Sequence, residues 1–334
     1  MSQLITLDGI RSIMDSLLKE GAIVAAPVNE GENKLFFEKI DTSQKAVLSG
    51  TVKTVNSIKE FFFPRHEVLC TFKRNGNDIE LTDSQPFDRE QIIFGARPCD
   101  AAALPVLDPL FAWDYQDRFY QSRREKTTVV VFACQNSDQH CFCGALGLAP
   151  DDPSGADAML FDLGNGFFEV RTFTEKGERL FKEKTSSSDQ TGKACPVPGK
   201  KLRTKELSVW LKKNFTASIW DDMSKRCVGC GACTYLCPTC HCFDIVDEGS
   251  FQKGVRVKNW DSCQMANFTL HASGHNPRAV QGQRQRQRIE HKFSIYPEKF
   301  GVLLCTGCGN CTRNCPSSLG VRPFLDAIEK QLDQ

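Results

Sequence analysis

The stretch Arg226–Asp244, RCVGCGACTYLCPTCHCFD, decides how this chain is read, and Leu304–Ser317, LCTGCGNCTRNCPS, repeats its pattern. Both contain the spacing C-x2-C-x2-C-x3-C-P, as Cys227, Cys230, Cys233, Cys237, Pro238 and as Cys305, Cys308, Cys311, Cys315, Pro316. In a run of this kind three close thiolates grip three irons of a [4Fe–4S] cube, and the fourth cysteine ligates the other cube. On that rule Cys227, Cys230, Cys233 and Cys315 hold a first [4Fe–4S] cluster. Cys305, Cys308, Cys311 and Cys237 hold a second. Gly229, Gly231, Gly307 and Gly309 let the loops turn tightly, so that backbone N–H groups can face sulfur. Pro238 and Pro316 redirect the chain after each run. Paired C-x2-C units also build zinc sites, but zinc does not account for two four-cysteine runs each closed by proline.

Composition agrees with metal ligation. The chain has 334 residues and 17 cysteines, with 42 Lys+Arg against 41 Asp+Glu. Balanced charge gives no footprint for nucleic acid or an anionic membrane. Disulfide frameworks belong to small secreted chains, whereas the N-terminus has Asp8 and Asp15 inside its apolar stretch and reads as an amphipathic helix. No apolar run is long enough to span a bilayer. The expected compartment is the cytoplasm, where thiols stay reduced and free for metal.

The expected fold class is α+β: a mixed α/β domain over residues 1–195, then a mainly helical dicluster ferredoxin domain over 200–334. Strand-like runs lie at 21–28, 34–40, 127–134 and 166–173, and helical patterns at 4–19, 52–60 and 174–183. No Gly-x-Gly-x-x-Gly or Walker-type loop is present, and no flavin is expected on this chain. Residues 184–201, rich in Ser, Gly, Lys and Pro, read as a linker. A helix with Leu202, Leu207, Trp210 and Leu211 on one face follows. The basic, glutamine-rich tract 279–293 reads as an exposed, solvated helix, and Lys225, Arg226 and Arg313 as ordinary surface residues.

Nine further cysteines lie outside the two runs. Cys99 follows a β-like run, and Cys134, Cys141 and Cys143 sit at the end of the 127–134 strand. Loops at strand ends commonly carry sites, so these four are candidate ligands of a third [4Fe–4S] cluster. Cys240, Cys242 and Cys263 read as packing beside the clusters, with a further metal held together with His241 as the alternative. His140 and His241 adjoin cysteines, but no acid–base or nucleophilic catalysis is expected.

Seven segments carry a family resemblance: 95–104 (GARPCDAAAL), 134–144 (CQNSDQHCFCG), 227–244, 259–263 (NWDSC), 273–278 (SGHNPR), 291–301 (HKFSIYPEKFG) and 305–316. In this order they resemble a family of 4Fe–4S electron-transfer subunits. It includes the β subunit of sulfhydrogenase-type cytoplasmic NiFe hydrogenases and the corresponding iron–sulfur subunit of anaerobic sulfite reductase. The resemblance runs from about residue 60 to 320. It implies the eight cluster ligands already named, and it has cysteines at the positions of Cys99, Cys134, Cys141 and Cys143. It also implies a non-catalytic relay between a flavin-containing NAD(P)H oxidoreductase subunit and a hydrogenase, sulfite reductase or heterodisulfide reductase-like subunit. The competing expectations are an enzyme subunit that binds flavin or substrate through its N-terminal domain, and a zinc-stabilised interaction module.

Overall fold

The computed structural model describes residues 2–32, 34–50 and 53–333. Its strands are β1 (Ser2–Thr6), β2 (Ile23–Asn29), β3 (Leu35–Ile40), β4 (His66–Asn75), β5 (Asp78–Asp83) and β6 (Gln91–Ala96). They continue as β7 (Thr127–Phe132), β8 (Ala158–Gly164), β9 (Phe167–Thr172), β10 (Ser186–Ser188), β11 (Phe243–Gly249) and β12 (Lys253–Trp260). The main sheet has the order β10-β1-β9-β8-β7-β6-β2-β3. Its centre, β2, β6, β7 and β8, is parallel, and both flanks are antiparallel. The fold is α+β, as expected.

Parallel strands are covered on both faces and read as nearly continuous apolar runs; β6 and β7 are buried throughout. Ile92, Phe94, Val130 and Phe132 meet the helix Leu7–Lys19 through Ile10, Ile13, Met14 and Leu17. Burying each such side chain stabilises by about 1.5–3 kcal/mol. Ile93, Val129 and Val131 face the opposite core, shared with Leu104, Leu107 and Phe111, and with Tyr296 and Leu304 from the far end of the chain. A third core joins the helices Thr204–Lys213 and Val321–Leu332 to Trp220, Ile289 and Phe293, and also takes in Phe142 and Ala145.

Several local expectations shift. The expected 4–19 helix begins at Leu7, because Ser2–Thr6 extends as a strand between β9 and β10. The expected 52–60 helix is only a 3-10 turn, Ile58–Phe61, among the described residues; positions 51 and 52 lie outside them. The segment read as a linker, 184–201, is tied down. It contributes β10, and Cys195 N–H donates to Cys134 O at 2.8 Å while Pro198 O accepts from Gly144 N–H at 3.1 Å. Its Gly and Pro content serves close packing, since a Cβ on Gly199 would stand 3.3 Å from the Phe142 Cα.

The insertion between the two cysteine runs is not purely helical either. It supplies β11 and β12, which join β4 and β5 in a second sheet, β11-β12-β4-β5. Residues on both sides of the expected 195–200 division therefore share one sheet. A buried charge network fixes this junction: Lys258 of β12 bonds Glu67 of β4 at 2.8 Å and Asp117 at 2.9 Å, and Arg123 also pairs with Glu67. Breaking a buried pair strands the remaining charge. Lys258→Met is therefore expected to destabilise the protein by about 3 kcal/mol, read as a lowered denaturation midpoint; an unchanged midpoint would refute the role given to this network.

Candidate iron–sulfur centres

The two motif loops are built alike. Gly229 and Gly231 have φ of 68° and 74°, and Gly307 and Gly309 have 67° and 77°, all in the left-handed region that side chains disfavour. Each loop then enters a one-turn helix, Ala232–Tyr235 or Asn310–Arg313, that carries the third cysteine. Close approach adds a second demand: a Cβ on Gly307 would fall 2.6 Å from the Cys143 Cα, and one on Gly309 would fall 2.4 Å from the His140 oxygen. The second motif loop thus lies directly against the cysteine loop of the main-sheet half.

The structure gathers Cys237, Cys305, Cys308 and Cys311 around one enclosed space, together with Lys292. Cys237 of the first run thus lies among three cysteines of the second. On the other side Cys233 neighbours Cys227, Cys263 and Cys311. Ser317 Oγ–H donates to Arg226 O at 2.7 Å, holding the turn after Cys315 against the start of the first run. Cys230 is exposed.

Nitrogen donors surround these sulfurs. Cys227 Sγ accepts from Gln285 Nε2 at 3.2 Å, and Cys237 Sγ from Lys292 Nζ at 3.4 Å. Backbone N–H groups of Leu319 and Val321 point at Cys315 and Cys311, at 3.2 and 3.3 Å. Gln285 and Lys292 come from the tract read as a solvated helix, and that reading is corrected here. The helix Gln281–Glu290 passes into a π-turn, His291–Ile295, and buries Gln285, Arg288 and Lys292. Arg288 and Lys292 are four residues apart and so share a face; only 1% and 2% of their surface is exposed.

Arg288 tests whether an iron–sulfur group fits. None of its three guanidinium nitrogens has a hydrogen-bond partner, although an unpaired buried charge is among the costliest groups a protein can hold. Its neighbours are Cys233, Cys240, Cys263 and Cys311. Burial pulls its pKa down, but the surrounding cysteine charges outweigh this and hold it above its ordinary value. Lys292 behaves in the same way: burial lowers its pKa, and Cys237, Cys240, Cys305 and Cys311 more than reverse it. Lys59, 3% exposed, adds a third buried cation and donates to Cys240 O at 2.9 Å and Tyr235 O at 3.3 Å. A cation shell around cysteines asks for an anionic group at its centre, and thiolate-ligated iron–sulfur cubes meet that demand.

The motif thiols respond in opposite directions. Cys237 is drawn well below the usual thiol range by a hydrogen bond from Cys240, with Lys292 and Lys59 assisting against burial. Burial pushes Cys233 and Cys305 up to about 12. A coordinating metal deprotonates such thiols outright. Cys242 and Cys263 form a hydrogen-bonded pair next to the first run, so Cys240, Cys242 and Cys263 lie beside the motif cysteines. His241, half-buried, packs against His291, and desolvation lowers its pKa to about 3, leaving a neutral ring. Among the described residues no three His, Cys, Asp or Glu side chains are grouped to hold a single metal ion.

Another cleft opens where β6 and β7 end. In open sheets the carboxyl ends of adjacent parallel strands are where ligand crevices form. Cys99 lies just beyond β6, and Cys134, Cys141 and Cys143 lie beyond β7. All four line this cleft together with Cys195 and Cys308. Cys308 thus borders both this cleft and the second motif space. Arg97, 6% exposed, also lines the cleft; its Nη1 reaches Gly50 O, while its Nε and Nη2 have no partner. Arg313 is no plain surface residue, since it grips Asp138 at 2.8 and 3.0 Å and lies 3.8 Å from Cys141 Sγ. Burial would raise the Asp138 pKa, but Arg313 holds it well below the usual carboxylate range.

These features define a protein of the iron–sulfur dicluster class, and residues 226–319 match the 4Fe-4S dicluster domain family. Over 330 residues the chain is 29% identical to the sulfhydrogenase 2 subunit beta of Pyrococcus furiosus, covering 94% of this chain and 95% of that one. The similarity is thus to a sulfhydrogenase β subunit over nearly the whole chain, and to a 4Fe-4S dicluster domain over its C-terminal part. No solved structure matches it. Among the described residues no helix is long and apolar enough to cross a membrane.

Sequence reasoning missed Arg288, Lys292, Gln285, Lys59, Arg97 and Cys195. The i, i+4 pair Arg288 and Lys292 was visible, but its face could not be oriented without the sheet and helices that enclose it. Replacing Arg288 by Gln is expected to lower a cluster midpoint potential by on the order of 50–100 mV, the scale of one unit charge at about 8 Å in a medium of effective dielectric about 20. Arg288→Lys is expected to recover most of the shift. A redox titration followed by electron paramagnetic resonance reads this; a midpoint unmoved in Arg288→Gln would contradict the assignment.

Proposed function

We propose that this iron–sulfur electron-transfer subunit is a relay with no substrate of its own. It carries electrons between a flavin-containing NAD(P)H oxidoreductase subunit and a hydrogenase, sulfite reductase or heterodisulfide reductase-like subunit. Cys227, Cys230, Cys233 and Cys315 hold a first [4Fe–4S] cluster, and Cys305, Cys308, Cys311 and Cys237 a second. Cys99, Cys134, Cys141 and Cys143 hold a third. The observation that carries this reading is the position of Cys308, which borders both the second space and the cleft at the strand ends.

Bound clusters supply reversible one-electron exchange. The chain's own groups set its terms. Lys292, Arg288 and Lys59 offset negative charge around the first two sites, which favours the reduced form. The N–H groups of Gln285, Leu319 and Val321 act on individual sulfurs. Arg97 does for the cleft what Arg288 does for the motif pair. Exposed Cys230, beside exposed Val228, gives the first site an opening to a partner. The cleft at β6 and β7 lies at the other end of the series. A relative named as a sulfhydrogenase β subunit favours a multi-subunit assembly of the same kind here.

Anaerobically purified protein is expected to be brown, to contain roughly twelve irons per chain, and to give reducible [4Fe–4S] resonance signals. Flavin is expected in a co-purifying subunit and not in this chain. Zinc in place of iron would overturn the cluster assignment, and stoichiometric flavin in the isolated chain would overturn the pure relay.

A further inference from the structure

The cleft at the strand ends presents more thiols than a cube can use. Five cysteines outside the two runs line it: Cys99, Cys134, Cys141, Cys143 and Cys195. A [4Fe–4S] cube takes four. Cys195 arrives on the tied-down segment 189–201, placed by the 2.8 Å bond from its own N–H to Cys134 O. The same segment is held again at Pro198 and, just past its end, at Leu202, whose N–H reaches Ala145 O at 3.0 Å. It therefore runs along both cysteine-bearing loops and cannot carry Cys195 away from the cleft. Arg97, buried with two unpartnered nitrogens, marks the cleft as built for an anionic occupant.

The five thiols differ in their present partners. Cys99, Cys134 and Cys143 neighbour one another. Cys134 also neighbours both Cys141 and Cys195. Among the described residues Cys141 is the one of the five with a side-chain partner on its sulfur: its Sγ–H donates to Asp138 Oδ1 at 3.3 Å, and Arg313 lies beyond. Asp138, itself paired with Arg313 and Lys53, thus gives Cys141 a hydrogen-bonded place as a free thiol.

We propose that Cys195 and Cys141 are interchangeable fourth ligands of the cluster held by Cys99, Cys134 and Cys143. This rests on the third-cluster reading above. In the exchange the iron–sulfur bond to Cys141 breaks as the bond to Cys195 forms. The proton leaving the Cys195 thiol is matched by the one Cys141 takes up beside Asp138. No electron and no co-reactant are required. Such a pair tunes the potential of this site by its choice of ligand, because Cys141 carries the charges of Asp138 and Arg313 next to its sulfur and Cys195 does not.

The test uses the full chain, purified anaerobically, with Cys141→Ala, Cys195→Ala, the double variant, and Cys143→Ala as a fixed-ligand control. Iron content and resonance spectra are read, and intact signals from the two motif clusters certify folding in each. The proposal expects both single variants to keep the wild-type iron content with an altered third-site signal. It expects the double variant and Cys143→Ala each to lose about four irons. It is overturned if Cys195→Ala matches wild type in iron and spectrum, if either single variant loses the cluster, or if the double variant retains it. Wild-type protein with about eight irons would remove the third-cluster reading itself, and with it this proposal.

Discussion

Two buried cations, Arg288 and Lys292, impose the condition on which the rest of this structure depends. Each is taken out of water at a cost of several kcal/mol per ion unless an opposite charge stands beside it. Among the described residues no carboxylate is paired with either; their neighbours are cysteines. The helix that bears them must therefore pack against something anionic, and the two motif loops supply the sulfur that holds it. Gln285, one turn earlier, and the π-turn at His291–Ile295 belong to the same requirement, since π-turns recur at functional sites and here three of the turn's five residues are buried.

This condition also explains how the two parts of the chain interlock. Tyr296 and Leu304 close the far face of the main sheet, and Phe142 and Ala145 return the contact by entering the helical core. Gly307 and Gly309 allow the second motif loop to lie on the 140–143 loop without a Cβ in the way. Arg313 and Asp138 tie the same two loops by charge. The result is two cysteine-lined spaces that share Cys308.

Much of this was legible in the sequence, and the reasons for the remainder are physical. The ligand spacing was readable because it is local: three thiolates within seven residues must share one centre. Of the parallel core strands, β2, β6 and β7 were readable as apolar runs, and β8 went unread. The Arg288 helix was misread because eight polar residues in its ten look solvated until their neighbours are known. The β11–β12 hairpin was missed because β11 is exposed throughout and β12 pairs with β4, 180 or more positions away in sequence. The segment 184–201 looked like a linker because Gly and Pro content signals absence of regular structure, and that is compatible with tight packing. Cys195 escaped notice for the same reason.

The central claim is that the helix bearing Arg288 and Lys292 is held in place by the clusters it faces. Amide hydrogen exchange on the full chain, before and after anaerobic extraction of iron, tests this directly. The account predicts that extraction abolishes protection across residues 281–300 and both motif loops, while β6 and β7 stay protected. Retained protection at 281–300 in iron-free protein would contradict it.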